Sequence, residues 1–237
     1  PQTASGEAEM NRPDKIDAAL WDVMCTSDED EWIPLYIKLH GINETELLDK
    51  VEQKTGMDPA VFLDEARFEK EVASKIREAV EKAFRAEAAQ PAGDAAELSD
   101  ASLASLKTAL SAELKTLIGD PETLVEKIKG RQPASVADFI IIETRNRFQY
   151  EKGKIQREEN SSVNRAFAEE HVKARANAVN CAGSYFSALF VDAKKADILY
   201  YAQQEQVANI FYADPSFQIA PTLSHIAGQV DADSSAD

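Results

Sequence analysis

The sequence predicts an α+β protein in which an antiparallel four-stranded sheet is interrupted by a large all-helical insertion. Two observations predict this class. The segments at about 32–40 and beyond about 178 alternate in polarity or are rich in β-branched and aromatic residues, which is typical of strands. Between about 57 and 176, apolar residues recur at a spacing near 3.6, which indicates helices. The helical run therefore separates the first strand from the other three.

The front of the chain predicts a helix, a strand and a second helix. Pro13 suits the first position of a helix at about 13–25. In the strand at about 32–40, residues of one buried face alternate with residues of the opposite face. The buried-face residues are Ile33, Leu35, Ile37 and Leu39, and the opposite-face residues are Pro34, Tyr36, Lys38 and His40. Asn43-Glu44-Thr45-Glu46 reads as a capping box for a helix that ends at Gly56.

Helix starts and breaks divide the long middle segment. Asp58-Pro59 predicts the N-cap and first-turn proline of a helix that runs to about 89. Later helices, the last at about 135–175, are separated by proline-containing breaks at 90–94, 119–121 and 132–133. The leucine and phenylalanine stripes of these helices are expected to form a core, not a cofactor pocket.

The last third of the chain returns to strands, predicted at about 178–182, 185–191 and 207–213, with a helix at about 193–204. Without the middle segment, the order of elements is βαββαβ, the ferredoxin-like split βαβ unit, with both helices on one face of the sheet. The expected domains are a flexible leader at 1–12, a ferredoxin-like core at 13–56 and 177–214, a helical insertion at 57–176 between the first helix and the second strand, and an extended tail at 215–237.

The composition and the absence of known motifs argue against several classes of function. A formal net charge of −16 repels phosphate backbones, so nucleic-acid binding is not expected. The histidines, His40, His171 and His225, match no metal-ligand spacing, and the sequence holds no phosphate-binding loop and no Gly-x-Ser-x-Gly motif. No apolar run is long enough to predict a membrane span. We therefore expect a protein that binds and does not catalyse, with no cofactor and no metal.

The cysteines, Cys25 and Cys181, leave their redox state open. No C-x-x-C motif is present, so they either pair with each other or are both buried thiols. A polar leader that starts at Pro1 resembles the segment left after a secretion signal is removed, although an arbitrary start of the chain would look the same. We expect a secreted or cell-surface protein, in which a disulfide is permitted but not required.

Two apolar patterns, one near each end of the chain, point to a known family. The first is Trp32-Ile-Pro-Leu-Tyr-Ile-Lys-Leu39. The second runs from Tyr185 to Ala213 and contains Ile198-Leu199, Ala202, Val207 and Ile210. Together they resemble the first strand and the end of the prodomains of subtilisin-type (S8) serine proteases, the inhibitor I9-type domains. Larger versions with helical inserts occur in some bacterial surface proteases of Gram-positive organisms.

The resemblance implies an intramolecular chaperone and inhibitor of a secreted serine protease, bound in cis or in trans. In that family the open face of the sheet packs on the protease, and the C-terminal tail lies along the active-site cleft. On this chain the sheet-face residues would be Tyr36, Lys38, His40, Phe190 and Phe211. The tail residues would be Phe217, Ile219, Pro221 and Leu223.

Two departures from the family keep a second interpretation open. Ordinary prodomains lack a helical insertion of this size, and the sequence holds none of the Asp-Ser/Thr-Gly, His-Gly-Thr or Gly-Thr-Ser-Met/Ala motifs of the protease domain. The chain would then be part of a longer precursor, a released propeptide or a free-standing relative. The alternative is a cell-surface interaction or scaffold module that recognises its partner through the helical insertion.

Overall fold

The computed structural model describes residues 12–88, 99–176, 178–181 and 184–214, and it confirms the α+β class. The chain divides into two compact units. The sheet unit contains the described residues up to Ile42 and from Gln156 onward, and the helical unit spans Asn43–Ile155. Each unit has a buried apolar core of its own.

The described elements alternate between helices and strands only near the two ends of the chain. In order they are α1 (Ala18–Thr26), β1 (Ile33–Leu39), α2 (Glu44–Thr55), α3 (Pro59–Leu63), α4 (Glu65–Phe68), α5 (Ser74–Ala88), α6 (Asp100–Glu113), α7 (Lys115–Ile118), α8 (Pro121–Ile128), α9 (Pro133–Phe167), β2 (Ala178–Cys181), β3 (Ala188–Ala193), α10 (Lys195–Ala202) and β4 (Val207–Tyr212). A π-helical turn, Glu69–Ala73, joins α4 to α5, and a second, Ala168–Val172, continues α9.

The strands form one sheet in the order β2-β3-β1-β4, and each neighbouring pair is antiparallel. The central strand β1 pairs with β3 from Ile33, opposite Ala193, to Lys38, opposite Ala188. Its other side pairs with β4, and the register shifts between Lys38 and Leu39. The prediction that the first strand shares a sheet with the strands after residue 178 is therefore confirmed.

One face of the sheet is buried beneath helices. The apolar row of β1, Ile33 to Leu39 in alternate positions, is at most 2% exposed. It lies in one apolar cluster with Leu20 and Met24 of α1, with Phe167, Ala168 and Val172 at the end of α9, and with Ile198, Tyr201 and Ala202 of α10. Burial of each large aliphatic side chain of this row contributes roughly 1.5–3 kcal/mol to folding. The period-two pattern of the sequence thus identifies the buried face correctly.

The outer edge of β4 is partly covered by the chain that precedes α1. Ile16 forms a parallel bridge with Ile210. The backbone N–H of Ile210 donates to the Lys15 carbonyl at 2.7 Å, and the N–H of Asp17 donates to the Ile210 carbonyl at 2.9 Å. These bonds satisfy backbone groups that an edge strand would otherwise leave open to pairing with another chain.

Local capping signals start several helices of the helical unit. The Asn43 side chain accepts from the Glu46 N–H at 2.9 Å, and the Asp58 side chain accepts from the Ala60 N–H at 2.8 Å. The α2 helix ends at Gly56, whose φ of 69° is left-handed. The core of this unit consists mainly of aliphatic side chains of α5, α6, α8 and the first half of α9, including Ile76, Leu106, Leu110, Ile128 and Ile140.

The boundaries of the two units differ from those that the sequence predicts. The predicted sheet core includes the helix at 43–56, which the structure places in the helical unit, and the predicted insertion continues to 176, whereas the helical unit ends at Ile155. The helix that packs on the sheet between β1 and β2 is instead the end of α9 with its π-helical turn. An amphipathic pattern shows that a helix has a buried face, but it does not show which core that face joins.

Candidate functional site

Three aromatic rings lie side by side on the face of the sheet opposite the buried row. Tyr36 of β1 is in register with Phe190 of β3 on one side and with Phe211 of β4 on the other. Its ring centroid lies 5.0 Å from that of Phe190 and 6.0 Å from that of Phe211. All three side chains are half-buried. The structure therefore brings together the three aromatic residues that the alternation of the strands assigns to this face.

Lys38 lies on the same face, two positions beyond Tyr36, and is exposed. It is in register with Ala188 and with Asn209, so its cross-strand neighbours are one small and one polar residue. We call Tyr36, Lys38, Phe190 and Phe211 the outer face. His40 lies just past the end of β1, where its backbone N–H donates to the Gln206 carbonyl at 2.8 Å, and its side chain is exposed. It is therefore beside the outer face and not part of its aromatic row.

The surroundings of Tyr36 favour its neutral form. Burial raises the pKa of the Tyr36 phenol above its usual value. At neutral pH the outer face thus carries an uncharged aromatic centre beside the cation of Lys38. Such a surface is suited to apolar contact and to hydrogen bonds from the phenol.

A second feature, at the end of the sheet where β1 stops, was not predicted from the sequence. Asn160 and Asn164, four residues apart on α9, are both buried. The side-chain amide of Asn160 donates to the Ser184 and Tyr185 carbonyls at 3.2 and 3.1 Å, and the Ser187 hydroxyl donates to its amide oxygen at 2.8 Å. The amide of Asn164 donates to the Phe186 carbonyl at 2.9 Å.

These bonds hold the segment 184–187, which we call the aromatic loop, in a turn. The sequence predicts a strand from 185, because Tyr and Phe favour strands, but β3 begins at Ala188. The Tyr185 and Phe186 side chains are 64% and 66% exposed. The Arg157 guanidinium lies 5.7 Å from the centroid of the Tyr185 ring. No local signal in the sequence identifies the partners of this loop on α9.

The remaining predicted residues are those of the tail and the two cysteines. The tail residues Phe217, Ile219, Pro221 and Leu223 lie outside the described residues. Cys25 is a free, exposed thiol, so the structure contains neither the Cys25–Cys181 bridge nor the buried thiol that the sequence left as alternatives for this residue. The reason is positional, because Cys25 lies near the end of α1 beside the buried Met24 and faces away from the core.

His171 lies in the helices that cover the sheet, and its contacts are those of a buried residue of the core. His171 is 8% exposed, its Nδ1 lies 3.0 Å from the Tyr200 hydroxyl, and its ring packs on Phe167. In the described part of the chain, no three His, Cys, Asp or Glu side chains are close enough together to hold a metal ion. Within the same residues, no helix is both long and apolar enough to cross a bilayer.

Comparison of the chain with protein-family models, with curated proteins and with solved structures found no match. Within the described residues of the sheet unit, the outer face and the aromatic loop each group large aromatic side chains that solvent reaches, and Trp32 is a further exposed ring that lies apart from both.

Proposed function

We propose that this chain is a non-catalytic binding domain of the subtilase-propeptide type, which acts as an intramolecular chaperone and inhibitor of a secreted serine protease. The strand order β2-β3-β1-β4, antiparallel throughout, supports a ferredoxin-like split βαβ unit as its core. Such a sheet has one face covered by helices and one face available to a partner.

The observation that carries the proposal is the row of three rings on the outer face. Tyr36, Phe190 and Phe211 sit in direct register across three strands, on the face opposite the helices. A completely buried aromatic side chain hides roughly 150–250 Å² from water, and a partner would cover the part of each of these half-buried rings that is still exposed. Aromatic residues are enriched at the centres of protein interfaces. A protein surface of flat, apolar character, such as one formed by two helices, fits this row.

The place where the described residues end supports the second contact of this proposal, that of the tail with the protease cleft. After β4, the Ala213 N–H donates to the Pro34 carbonyl at 2.9 Å, so the chain leaves the sheet beside the start of β1. A segment that continues from this point could add main-chain hydrogen bonds to a protease cleft, as extended inhibitors do. Because such a domain binds the folded protease and not its unfolded chain, it also favours folding of the protease by mass action.

Inhibition of a secreted subtilisin-type protease tests the proposal. The purified chain is added to the protease, and hydrolysis of a chromogenic peptide is measured together with refolding of the denatured protease. We expect inhibition at micromolar concentration or below, and a marked loss of it in a Phe190→Ala/Phe211→Ala variant. Trp32→Ala is the matched control, because Trp32 is 41% exposed in the same unit but lies outside the outer face.

The proposal would be overturned if the chain, at micromolar concentration, neither inhibited the protease nor accelerated its refolding. A second candidate function, an interaction or scaffold module at the cell surface, would then gain support. The observation in its favour is that the helical unit exposes Leu63, Ile142 and Tyr150 at 55%, 56% and 63%. Serine substitutions at Ile142 and Tyr150 would weaken binding to a scaffold partner but leave protease inhibition unchanged.

A further inference from the structure

The aromatic loop differs from an ordinary surface turn in how completely its backbone is fixed. Three successive carbonyls, of Ser184, Tyr185 and Phe186, accept hydrogen bonds from two asparagine amides that are themselves buried. The next residue, Ser187, is bound through its hydroxyl to Asn160 and through its carbonyl to the Leu39 N–H at 2.7 Å. Each residue of the loop is therefore tied to α9 or to β1.

The side chains that this backbone carries are left in water. Tyr185 and Phe186 are the two most exposed large apolar side chains in the described part of the sheet unit. Burying polar amides costs free energy unless they are fully bonded, and here they are used to order a turn whose rings contribute little to the core. Rings on a fixed backbone lose less conformational entropy on binding than rings on a mobile loop, which is the advantage of preorganisation.

We propose that Tyr185 and Phe186 form a second anchor, which inserts into an apolar pocket on the protease that the outer face contacts. This inference rests on the proposed function and deepens it by assigning a further binding element. The Arg157 guanidinium beside Tyr185 adds a cation at the rim, so the pocket that fits has a carboxylate or carbonyl oxygen at its edge.

Area and charge argue for this partner over a second copy of the chain. Two aromatic side chains bury at most about 300–500 Å², less than the roughly 800 Å² that one side of a stable interface covers. The loop therefore needs a neighbouring surface, which the outer face supplies. Two copies of a chain with a formal net charge of −16 repel each other, and a heterologous partner avoids that repulsion.

The position of the aromatic loop at one end of the sheet suits it to orient the sheet on its partner. The aromatic loop adjoins Leu39, at the end of β1, whereas the chain leaves β4 next to Pro34, at the start of β1. The row of rings lies between these two points. A contact of the aromatic loop at one end of the sheet, together with the row of rings, fixes the orientation of the sheet on its partner better than the row of rings alone.

The test compares a Tyr185→Ala/Phe186→Ala variant with the wild-type chain as inhibitors of a secreted subtilisin-type protease. Binding to the same protease with its active-site serine replaced by alanine is measured by calorimetry. We expect the inhibition constant and the dissociation constant to rise about 30-fold, as for loss of an interface hot spot. The thermal midpoint and circular dichroism should stay unchanged, because both side chains are mostly exposed.

Two matched variants isolate the effect. Tyr150→Ala removes an equally exposed ring from the helical unit and should leave inhibition unchanged. A Tyr185→Phe/Phe186→Tyr variant keeps both rings and should bind nearly as the wild type does. If the double alanine variant inhibits like the wild type while Phe190→Ala/Phe211→Ala does not, only the anchor is overturned. If the wild-type chain itself does not inhibit, both the proposed function and the anchor are overturned.

Discussion

Gly41 lies so close to Ser187 that a β-carbon added to the glycine would be 2.5 Å from the serine hydroxyl oxygen and 3.3 Å from the serine β-carbon. Rotation of the serine side chain away from the glycine would break the hydrogen bond that its hydroxyl donates to the Asn160 amide oxygen. The end of β1 and the start of β3 therefore approach each other at a distance that only glycine permits.

Gly41→Ala is expected to destabilise the sheet unit by about 1–3 kcal/mol, the usual cost of overpacking a tight contact. Chemical denaturation followed by circular dichroism measures the change. Combining it with Ser187→Gly removes both close contacts, so the double variant should lose less stability than the sum of the two single losses. Strict additivity of the two changes would show that the close approach has no energetic consequence.

Asn160→Ala is expected to lower the free energy of unfolding by about 1–3 kcal/mol, because it leaves the Ser184 and Tyr185 carbonyls without their amide donor. Hydrogen exchange of the amides in 184–188 should accelerate more than exchange in β4. Asn146→Ala, an exposed position on the same helix, serves as the control and should change neither quantity. Equal effects of the two substitutions would contradict the assigned role of Asn160.

The Asp120 cap of α8 gives the helical unit an acid-sensitive contribution. Hydrogen bonds from the Thr123 hydroxyl, and then from the Thr123 and Glu122 N–H groups, lower the pKa of Asp120 below its usual value of 3.8. A depressed folded-state pKa stabilises the fold above the unfolded pKa, and this contribution is lost as the pH falls through the folded pKa. We expect Asp120→Ala to reduce stability at pH 7 and to cost progressively less as the pH falls below 3.8 and through the lowered folded-state pKa of Asp120.

Asp120→Asn is the matched control for this titration. Asparagine is also a good N-cap but carries no titrating group, so its contribution should not change over the same pH range. Urea denaturation of the three proteins across the acid limb gives the comparison. If Asp120→Ala destabilised the protein equally at neutral and at acid pH, this result would contradict the assigned cap.

Tyr36 should titrate above its usual pKa of 10.0, because the outer face partly removes its phenol from water. The difference between the ultraviolet titration curves of the wild type and of Tyr36→Phe gives the phenolate absorbance of Tyr36. Since the folded-state pKa is raised, the neutral phenol stabilises the fold below the unfolded pKa, and the wild type should lose stability relative to Tyr36→Phe above about pH 10. A Tyr36 midpoint at or below the usual value would contradict the half-buried position.

Strand β1 and the helix caps were predictable because their signals are local. The alternation from Ile33 to Leu39 places every second residue in the core, and the Asn43 and Asp58 caps form as the sequence indicates. The rings of the outer face follow from the same alternation once the strands are assigned. The single helix predicted from 59 to about 89 is instead divided by the Asp64 cap of α4 and by a π-helical turn.

The aromatic loop and the unit boundaries were not predictable because they depend on contacts distant in the chain. Tyr185 and Phe186 have strong strand propensity, but amides more than 20 positions earlier, on α9, hold their carbonyls in a turn. The helix that packs on the sheet was predicted to be the nearest one, although the chain uses the end of α9. Propensity describes a segment alone, and tertiary hydrogen bonds override it here.

The pairing of Ile33 with Ala193 has a consequence for synthesis of the chain. β1 leaves the ribosome long before either of its neighbours, and the whole helical unit, Asn43–Ile155, is completed in the interval. The apolar row of β1 therefore stays unpaired during this interval. Closing the long loop between β1 and β3 is slow, because strands that are distant in sequence pair late in folding. The acidic run Asp28-Glu29-Asp30-Glu31 directly before it places like charges where nascent strands would otherwise associate.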